Sequence, residues 1–361
     1  MSAPVLHVKG QVFVSADDIR PEVWVVGGRF TFTPPTSGDV QTVQGYALPG
    51  FVDAHCHVGM GPGGAIEAEE AIAQATTDRD AGTLLIRDAG SALDTRFLQE
   101  RDDMPEIIRA GRHIARTKRY IRNYGHEIEP EDLVEYVRHE ARRGDGWVKL
   151  VGDWIHRDVG DLAPCWPVEA LTAAIAAAHE EGARVTAHCF GEQSLADFAE
   201  AGTDCIEHAT GLTEETVEVF AAKGIAIVPT LVNILTFPNI AEAGEAKFPG
   251  YAAHMRDLYE RRYNTIGAAH DAGVPIFVGT DAGGVIPHGL VAEEMAELTK
   301  AGMTTVEAIS AATWRAREWL RRPGIEEGAP ADLVVASGNP FDDLSLLATP
   351  SNIVLNGLVV A

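Results

Sequence analysis

Leu48-Pro49-Gly50-Phe51-Val52-Asp53-Ala54-His55-Cys56-His57 is the stretch whose reading decides the fold. A Pro-Gly turn leads into a short apolar run, the pattern of a buried β-strand. Side chains alternate faces along a strand, so His55 and His57 point one way and Cys56 the other. Two imidazoles converging at a strand end suit metal ligation. Further ligands are then expected at the ends of other strands.

The chain around this stretch has 361 residues, 46% of them hydrophobic, enough for one large domain with a smaller appendage. Its formal net charge of −24 disfavours nucleic acid and anionic membrane surfaces, whose phosphates it would repel. No apolar run is long enough to span a bilayer. Met1 to Val14 lacks the basic region and apolar core of a secretory signal. Cys56, Cys165, Cys189 and Cys205 follow neither a CxxC pattern nor a disulfide framework. They read as core-filling thiols, and a cytoplasmic location is expected. The expected partner is a small-molecule substrate, and self-association into a homo-oligomer is compatible with the sequence.

Residues 1–47 and 323–361 are rich in short β-type runs, such as Ala331 to Ala336 and Asn352 to Val360. The two ends are expected to pair into one small β-sandwich domain. Between them, residues 48–322 alternate strands and helices. With Leu48–His57, the strand candidates are Thr83–Arg87, Glu106–Ala110, Trp147–Val151, Arg184–His188, Asp204–His208, Ile225–Pro229 and Pro275–Thr280. Helices are expected over Glu131–Arg143, Pro167–Glu180, Thr213–Lys223 and Ile309–Leu320. The last is preceded by the capping box Thr304-Thr305-Val306-Glu307. Ala241 to Pro249 reads as the most loop-like insertion. Eight strands alternating with helices imply an α/β fold, a closed (β/α)8 TIM barrel.

In such a barrel the chemistry sits at the C-terminal strand ends. The first strand there carries His55 and His57, the fourth Lys149, the fifth His188, the sixth His208 and the eighth Asp281. Each has an ordinary alternative. A single strand-end histidine can simply be hydrogen-bonded, Asp281 can hold a turn, and Lys149 can snorkel outward. Four histidines and one aspartate ending four strands favour the metal reading. Lys149 cannot ligate as an ammonium. Desolvated beside a metal pair, it would lose its proton and react with carbon dioxide. The resulting carbamate has two oxygens able to bridge two metal ions.

These residues resemble the amidohydrolase superfamily of metal-dependent hydrolases. The resemblance runs through Pro49 to His57, the His188 and His208 strands, Gly279-Thr280-Asp281-Ala282-Gly283 and Ala331 to Val335. Lys149 resembles the carboxylated lysine of the binuclear members. The short His188–His208 interval, and Pro287-His288-Gly289 after Asp281, are most similar to the imidazolonepropionase and Xaa-Pro dipeptidase (prolidase-like) branch. Lys149 points to the dipeptidase side. Gly152-Asp153-Trp154-Ile155-His156 departs from the Gly-rich turn of those dipeptidases.

The resemblance implies that His55, His57 and Asp281 bind one metal and His188 and His208 a second, with carboxylated Lys149 bridging. Two divalent ions, Zn²⁺ foremost, would hold a bridging hydroxide as nucleophile, and Asp281 would shuttle its proton to a leaving amine. The bond cut would be an amide-type C–N bond, in a dipeptide or an N-acyl amino acid. A cyclic-amide hydrolase, a mononuclear deaminase and a non-catalytic metal-binding protein are the alternatives. For substrate contacts the candidates are His126, His288, Tyr124, Trp154 and Arg157, with His156, Thr230 and Arg122 nearby. His113, His139, His179, His254 and His270 read as helix or surface residues.

Overall fold

The computed structural model describes residues 5–361. Phe51–Cys56 is a strand with every residue buried, as the Pro-Gly entry and apolar run require. It pairs in parallel with Thr83–Asp88, which pairs in parallel with Glu106–Arg109. A second parallel group has six strands. Their order is His126–Ile128, Ile114–Arg116, Trp147–Val151, Arg184–Cys189, Cys205–His208 and Ala226–Val228. Such strands are buried on both faces by crossover helices, which is why they read as near-continuous apolar runs.

The expected single closed ladder of eight strands is not what forms. The ladder is interrupted at two seams, so the architecture is a mixed α/β one with parallel strands in two groups. Residues 275–282 make no regular strand. They bridge Ile227 to Ile276 on one side and Cys56 to Ala282 on the other. Pro275 has no N–H to donate, and several N–H and C=O groups here serve other partners. Val278 donates to the Ala311 carbonyl, and Thr280 and Asp281 both donate to that of His55. Gly279 is needed for this approach, because a Cβ there would lie 2.7 Å from His55 Cβ. The other seam lies beyond Arg109, whose carbonyl accepts from Asp145 N at 2.8 Å rather than from a strand neighbour.

The two chain ends do pair, but into one sheet rather than a sandwich. Its order is Leu358–Val359, Asn352–Leu355, Leu333–Ala336, Val40–Pro49, Val5–Phe13, Ile19–Val26 and Arg29–Thr31. Val40–Pro49 is parallel to Val5–Phe13 and antiparallel to Leu333–Ala336, so the C-terminal strands extend the N-terminal ladder. Val8, Val23, Phe30, Leu333 and Val354 share its apolar core. Val40–Pro49 runs on through Gly50 into the His55 strand. Arg317, fully buried, fastens that junction by donating Nε and Nη2 to the Gly50 carbonyl at 3.2 and 3.1 Å.

Helices form at Leu133–Arg143, Val168–Glu180 and Glu214–Lys223 as the apolar spacing requires. Thr304 makes its capping box with Glu307, but the helix expected to reach Leu320 splits into Thr305–Ala311 and Trp314–Trp319. The break lets the Ala312 carbonyl accept from Val52 N at 2.7 Å. Ala241–Pro249 is not a loop. Phe237–Glu245 is a helix with Pro238 in its first turn, burying Phe237 and Ala241, four residues apart, against Pro249–Asp271. The four cysteines are buried free thiols. No helix is long and apolar enough to cross a membrane among the described residues.

Beyond Trp147–Val151 the chain makes a hairpin, Asp153–His156 against Asp161–Pro164. His254, on Pro249–Asp271, ties it down. Its Nδ1 lies 3.0 Å from Asp161 Oδ1 and its Nε2 lies 3.1 Å from Glu192 Oε2. Both contacts favour the imidazolium, and the hydrogen bond to Glu192 leads in raising His254 to about 9. A pKa raised on folding contributes stability that is complete below the unfolded value of about 6.5 and is lost as pH rises through the folded one. Thermal unfolding midpoints should therefore fall as pH rises from about 6.5 to about 9 and level off above it, and His254→Gln should flatten that decline. Parallel pH profiles for the two proteins would show that His254 is not the group responsible.

Candidate metal centre

The strand end at His55 delivers what its alternation promised. His55 Nε2 and His57 Nε2 lie 3.1 Å apart, and Asp281 Oδ1 is 3.1 and 3.0 Å from them. His188 Nδ1 lies 2.9 Å from His208 Nε2, and the His55 and His208 rings are 5.1 Å apart. His55, His208 and Asp281 each offer a ligand-type atom within 4.8 Å of the others. The four imidazoles are buried.

The outer ring nitrogens decide what the inner ones present. His57 Nδ1 lies 2.6 Å from the Gly90 carbonyl, which can only accept, so the proton is on Nδ1 and Nε2 carries a lone pair. His55 Nδ1 lies 2.7 Å from Glu207 Oε2; the two are not aligned as a hydrogen bond, but the carboxylate charge favours the proton on that nitrogen. His208 Nδ1 is 2.7 Å from Thr230 Oγ1. Lone pairs facing each other at 3.1 Å beside a carboxylate oxygen repel, unless a cation sits among them. His188 Nε2 is likewise buried without a protein partner. Such a donor set could hold a metal ion, and carboxylates and carbonyls orient imidazoles in the same way around such ions.

Glu207 was not singled out from the sequence. It is fully buried on the His208 strand. Besides His55 it receives Arg87 Nη2 at 2.6 Å and the Thr186 hydroxyl. Burial opposes its charge, but Arg87, His55 and Lys149 outweigh it and hold the carboxyl well below the usual range. Asp281 is held down in the same way, burial being outweighed by His55, His57 and His208. Asn233 Nδ2 donates to Asp281 Oδ2 at 2.7 Å, leaving Oδ1 to the histidines. Burial pushes His208 down to about 3 and lowers Lys149 from its ordinary value. Lys149 is fully buried in register with Thr186, and the charges that reach it are those of Glu207, Asp281 and Arg87.

The backbone is strained here. His208, Thr230 and Asp281 have φ of 68°, 49° and 59°, left-handed values unusual for residues with a Cβ. Each such residue costs on the order of 1–3 kcal/mol and persists only where its surroundings over-determine it. Asp53 is one determinant. Its Oδ1 accepts from His55 N and Thr280 N, and its Oδ2 from Thr280 Oγ1, which locks the first strand to the segment carrying Asp281.

The second group of candidates fares differently. Trp154 lies 4.9 Å from Tyr120 and 5.5 Å from His188 between ring centroids, as part of an aromatic wall. Tyr124 is buried near this wall, with its hydroxyl given to the Gly61 carbonyl at 3.0 Å. Thr230 serves His208. His126 turns instead to Glu140 at 2.8 Å, and His288 to Asp78 at 2.7 Å, so neither joins the four imidazoles. His156 is part-buried, and Arg122 and Arg157 are exposed. His113, expected on a helix or the surface, is fully buried 5.0 Å from the His57 ring, and neither of its nitrogens has a partner. It follows Gly111 at φ 74°, which turns the chain inward after the third strand. Of these unforeseen residues only Glu207 left a trace in the sequence, as a charge inside an apolar strand. Asn233 and Tyr120 lie in loops and a short helical turn with no periodicity to read.

Residues 46–360 match the Amidohydrolase family. An uncharacterized protein of Mycobacterium tuberculosis is 52% identical over 98% of this chain and 95% of its own length. The ochratoxinase of Aspergillus niger is 29% identical over 61% of this chain and 46% of its own. Among solved structures, a Xaa-Pro dipeptidase with methionine bound in its active site superposes with a TM-score of 0.82 at 23% identity, covering 98% of this chain and 99% of that one. The chain therefore belongs to the amidohydrolase family, and its class is that of hydrolases acting on carbon–nitrogen bonds.

Because Glu207 orients His55 through Nδ1, Glu207→Gln should weaken metal retention by roughly 10- to 100-fold. Metal content after graded dialysis against a chelator measures this. Retention equal to that of the parent protein would remove Glu207 from the centre.

Proposed function

We propose that this chain is a binuclear metal-dependent hydrolase that cleaves an amide-type C–N bond in a Xaa-Pro-like dipeptide or an N-acyl amino acid. The observation that carries the reading is the convergence of imidazole lone pairs on Asp281 Oδ1, enforced by partners on the outer ring nitrogens. In this reading His55, His57 and Asp281 hold one divalent ion, and His188 and His208 hold another. Lys149, carboxylated by carbon dioxide, would offer two further oxygens to them. Zn²⁺ suits the set of imidazoles and carboxylates. When bound, such ions polarise a carbonyl and lower the pKa of water.

The chain's own residues supply the rest. Asp281, steadied by Asn233, takes a proton from the attacking water and returns it to the departing nitrogen. Without that proton the nitrogen would leave as a poor, strongly basic anion. Trp154 and Tyr120 offer an apolar wall for a substrate side chain. Arg157, at the tip of the Asp153–Pro164 hairpin, or Arg122 presents a planar fork to a substrate carboxylate. His113, buried beside His57 with free nitrogens, adds a polar group to the same wall. The dipeptidase likeness and the ochratoxinase relative support an amide-type substrate.

Protein prepared without chelator should hold about two divalent ions per chain, and Lys149→Ala should lose one of them with most of the activity. Elemental analysis that gives one ion in both proteins, with unchanged turnover, would sink the binuclear reading and favour a mononuclear deaminase.

Free amino acid should be released from some member of a dipeptide and N-acyl amino acid library, and Asp281→Asn should abolish the release. A metal-replete protein that ignores the library but frees ammonia from amino-heterocycles would show that the substrate class is wrong.

A further inference from the structure

The opposite end of the parallel strands carries a second polar feature. Trp147 and Arg184 are paired at the starts of neighbouring strands. Four steps of about 3.3 Å take the strand from Arg184 to His188, so this end lies roughly 13 Å from the candidate metal centre along the strand. A cavity of about 340 Å³ opens here, lined by Trp147, Arg184, Arg321, Arg322, Asp145 and His179. Arg184 also lines an adjoining cavity of about 410 Å³ that includes Lys223.

The carboxylates nearby are already engaged. Asp145 holds Arg109 at 2.7 and 2.8 Å, Asp204 holds His179 at 2.8 Å, and Glu106 pairs with Arg322. Among the described residues no carboxylate makes an ion pair with Arg184 or Arg321. Arg184 lies 4.0 Å over the Trp147 ring and donates Nη1 to the Trp319 carbonyl at 2.9 Å. Among the described residues the rest of its fork has no hydrogen-bond acceptor. Arg321 is exposed at the cavity rim, in a left-handed conformation with φ 58°. Burial, followed by repulsion from Arg87 and Arg321, brings Arg184 down to about 10. The chain carries 53 acidic residues against 29 basic ones, so a cavity with two guanidinium groups that make no ion pair among the described residues runs against its overall charge.

We propose that this cavity binds a small oxyanion, the phosphate or carboxylate group of a small molecule, between the guanidinium groups of Arg184 and Arg321. Guanidinium forks match such oxygens with paired, charge-assisted hydrogen bonds. Trp147 and the backbone at Gly146 and Gly182 leave open space for the remainder of the ligand. The site is independent of the metal centre and of the substrate assigned to it.

Isothermal titration of the full chain with inorganic phosphate and with acetate, at an ionic strength held constant with sodium chloride, tests this. Saturable binding of at least one anion is expected, weakened about tenfold or more by Arg321→Gln and by Arg184→Gln. Which anion binds identifies the group recognised. Arg184 packs on Trp147, so Arg321→Gln, at the surface, is the deciding variant. Binding that survives Arg321→Gln unchanged would place the anion elsewhere, at the metal centre, and overturn the proposal. So would the absence of saturable binding for both anions.

Discussion

The centre of this molecule depends on keeping the Glu207 carboxylate charged where no water reaches it. Taking such a group out of water costs several kcal/mol. Arg87, the Thr186 hydroxyl and the Nδ1 of His55 offset that cost together. The consequence reaches beyond stability. An anionic Glu207 sets the tautomer of His55 and so turns its Nε2 inward. Arg87 in turn donates Nε to the Ala54 carbonyl at 2.7 Å, so the same ion pair grips the strand that carries the histidine. Charge, tautomer and strand position are one coupled arrangement.

The strained backbone belongs to the same arrangement. His208, Thr230 and Asp281 adopt left-handed conformations at the ends of three different segments, and each contributes a side chain to the centre. Regular strands ending in extended geometry would point successive residues to opposite faces. A left-handed residue at the strand end re-aims the side chain there. The interrupted ladder around residues 275–282 has the same origin. The backbone that would have completed an eighth strand is used to hold Asp281 against His55 and Asp53.

Much of this was legible beforehand. Period-two alternation in Phe51–His57 placed His55 and His57 on one face, and the apolar runs ending in His188 and His208 were recognisable as buried strands. The capping box at Thr304 and the pairing of the chain ends were also readable. What could not be read were contacts made across the fold. His126 looked like a site residue, but Glu140 draws it aside. His113 looked peripheral, and the turn at Gly111 buries it beside His57. Ala241–Pro249 reads as a loop in the sequence because the apolar face of the Phe237–Glu245 helix it overlaps is only two residues wide and is completed by the neighbouring helix.

The sequence alone determined the imidazole and carboxylate side chains at the strand ends, the parallel strand–helix order and the excess of negative charge. These follow from local rules, alternation, apolar run length and composition, that act within a few residues. Tertiary structure decided which nitrogen of each imidazole faces inward, how Asp281 is steadied, and that the ends form one sheet rather than two. It also left Arg184 and Arg321 without carboxylates while Arg87 found one. Those outcomes depend on hydrogen bonds and ion pairs between residues up to hundreds of positions apart. Burial sets their strength, and only the folded chain creates that burial.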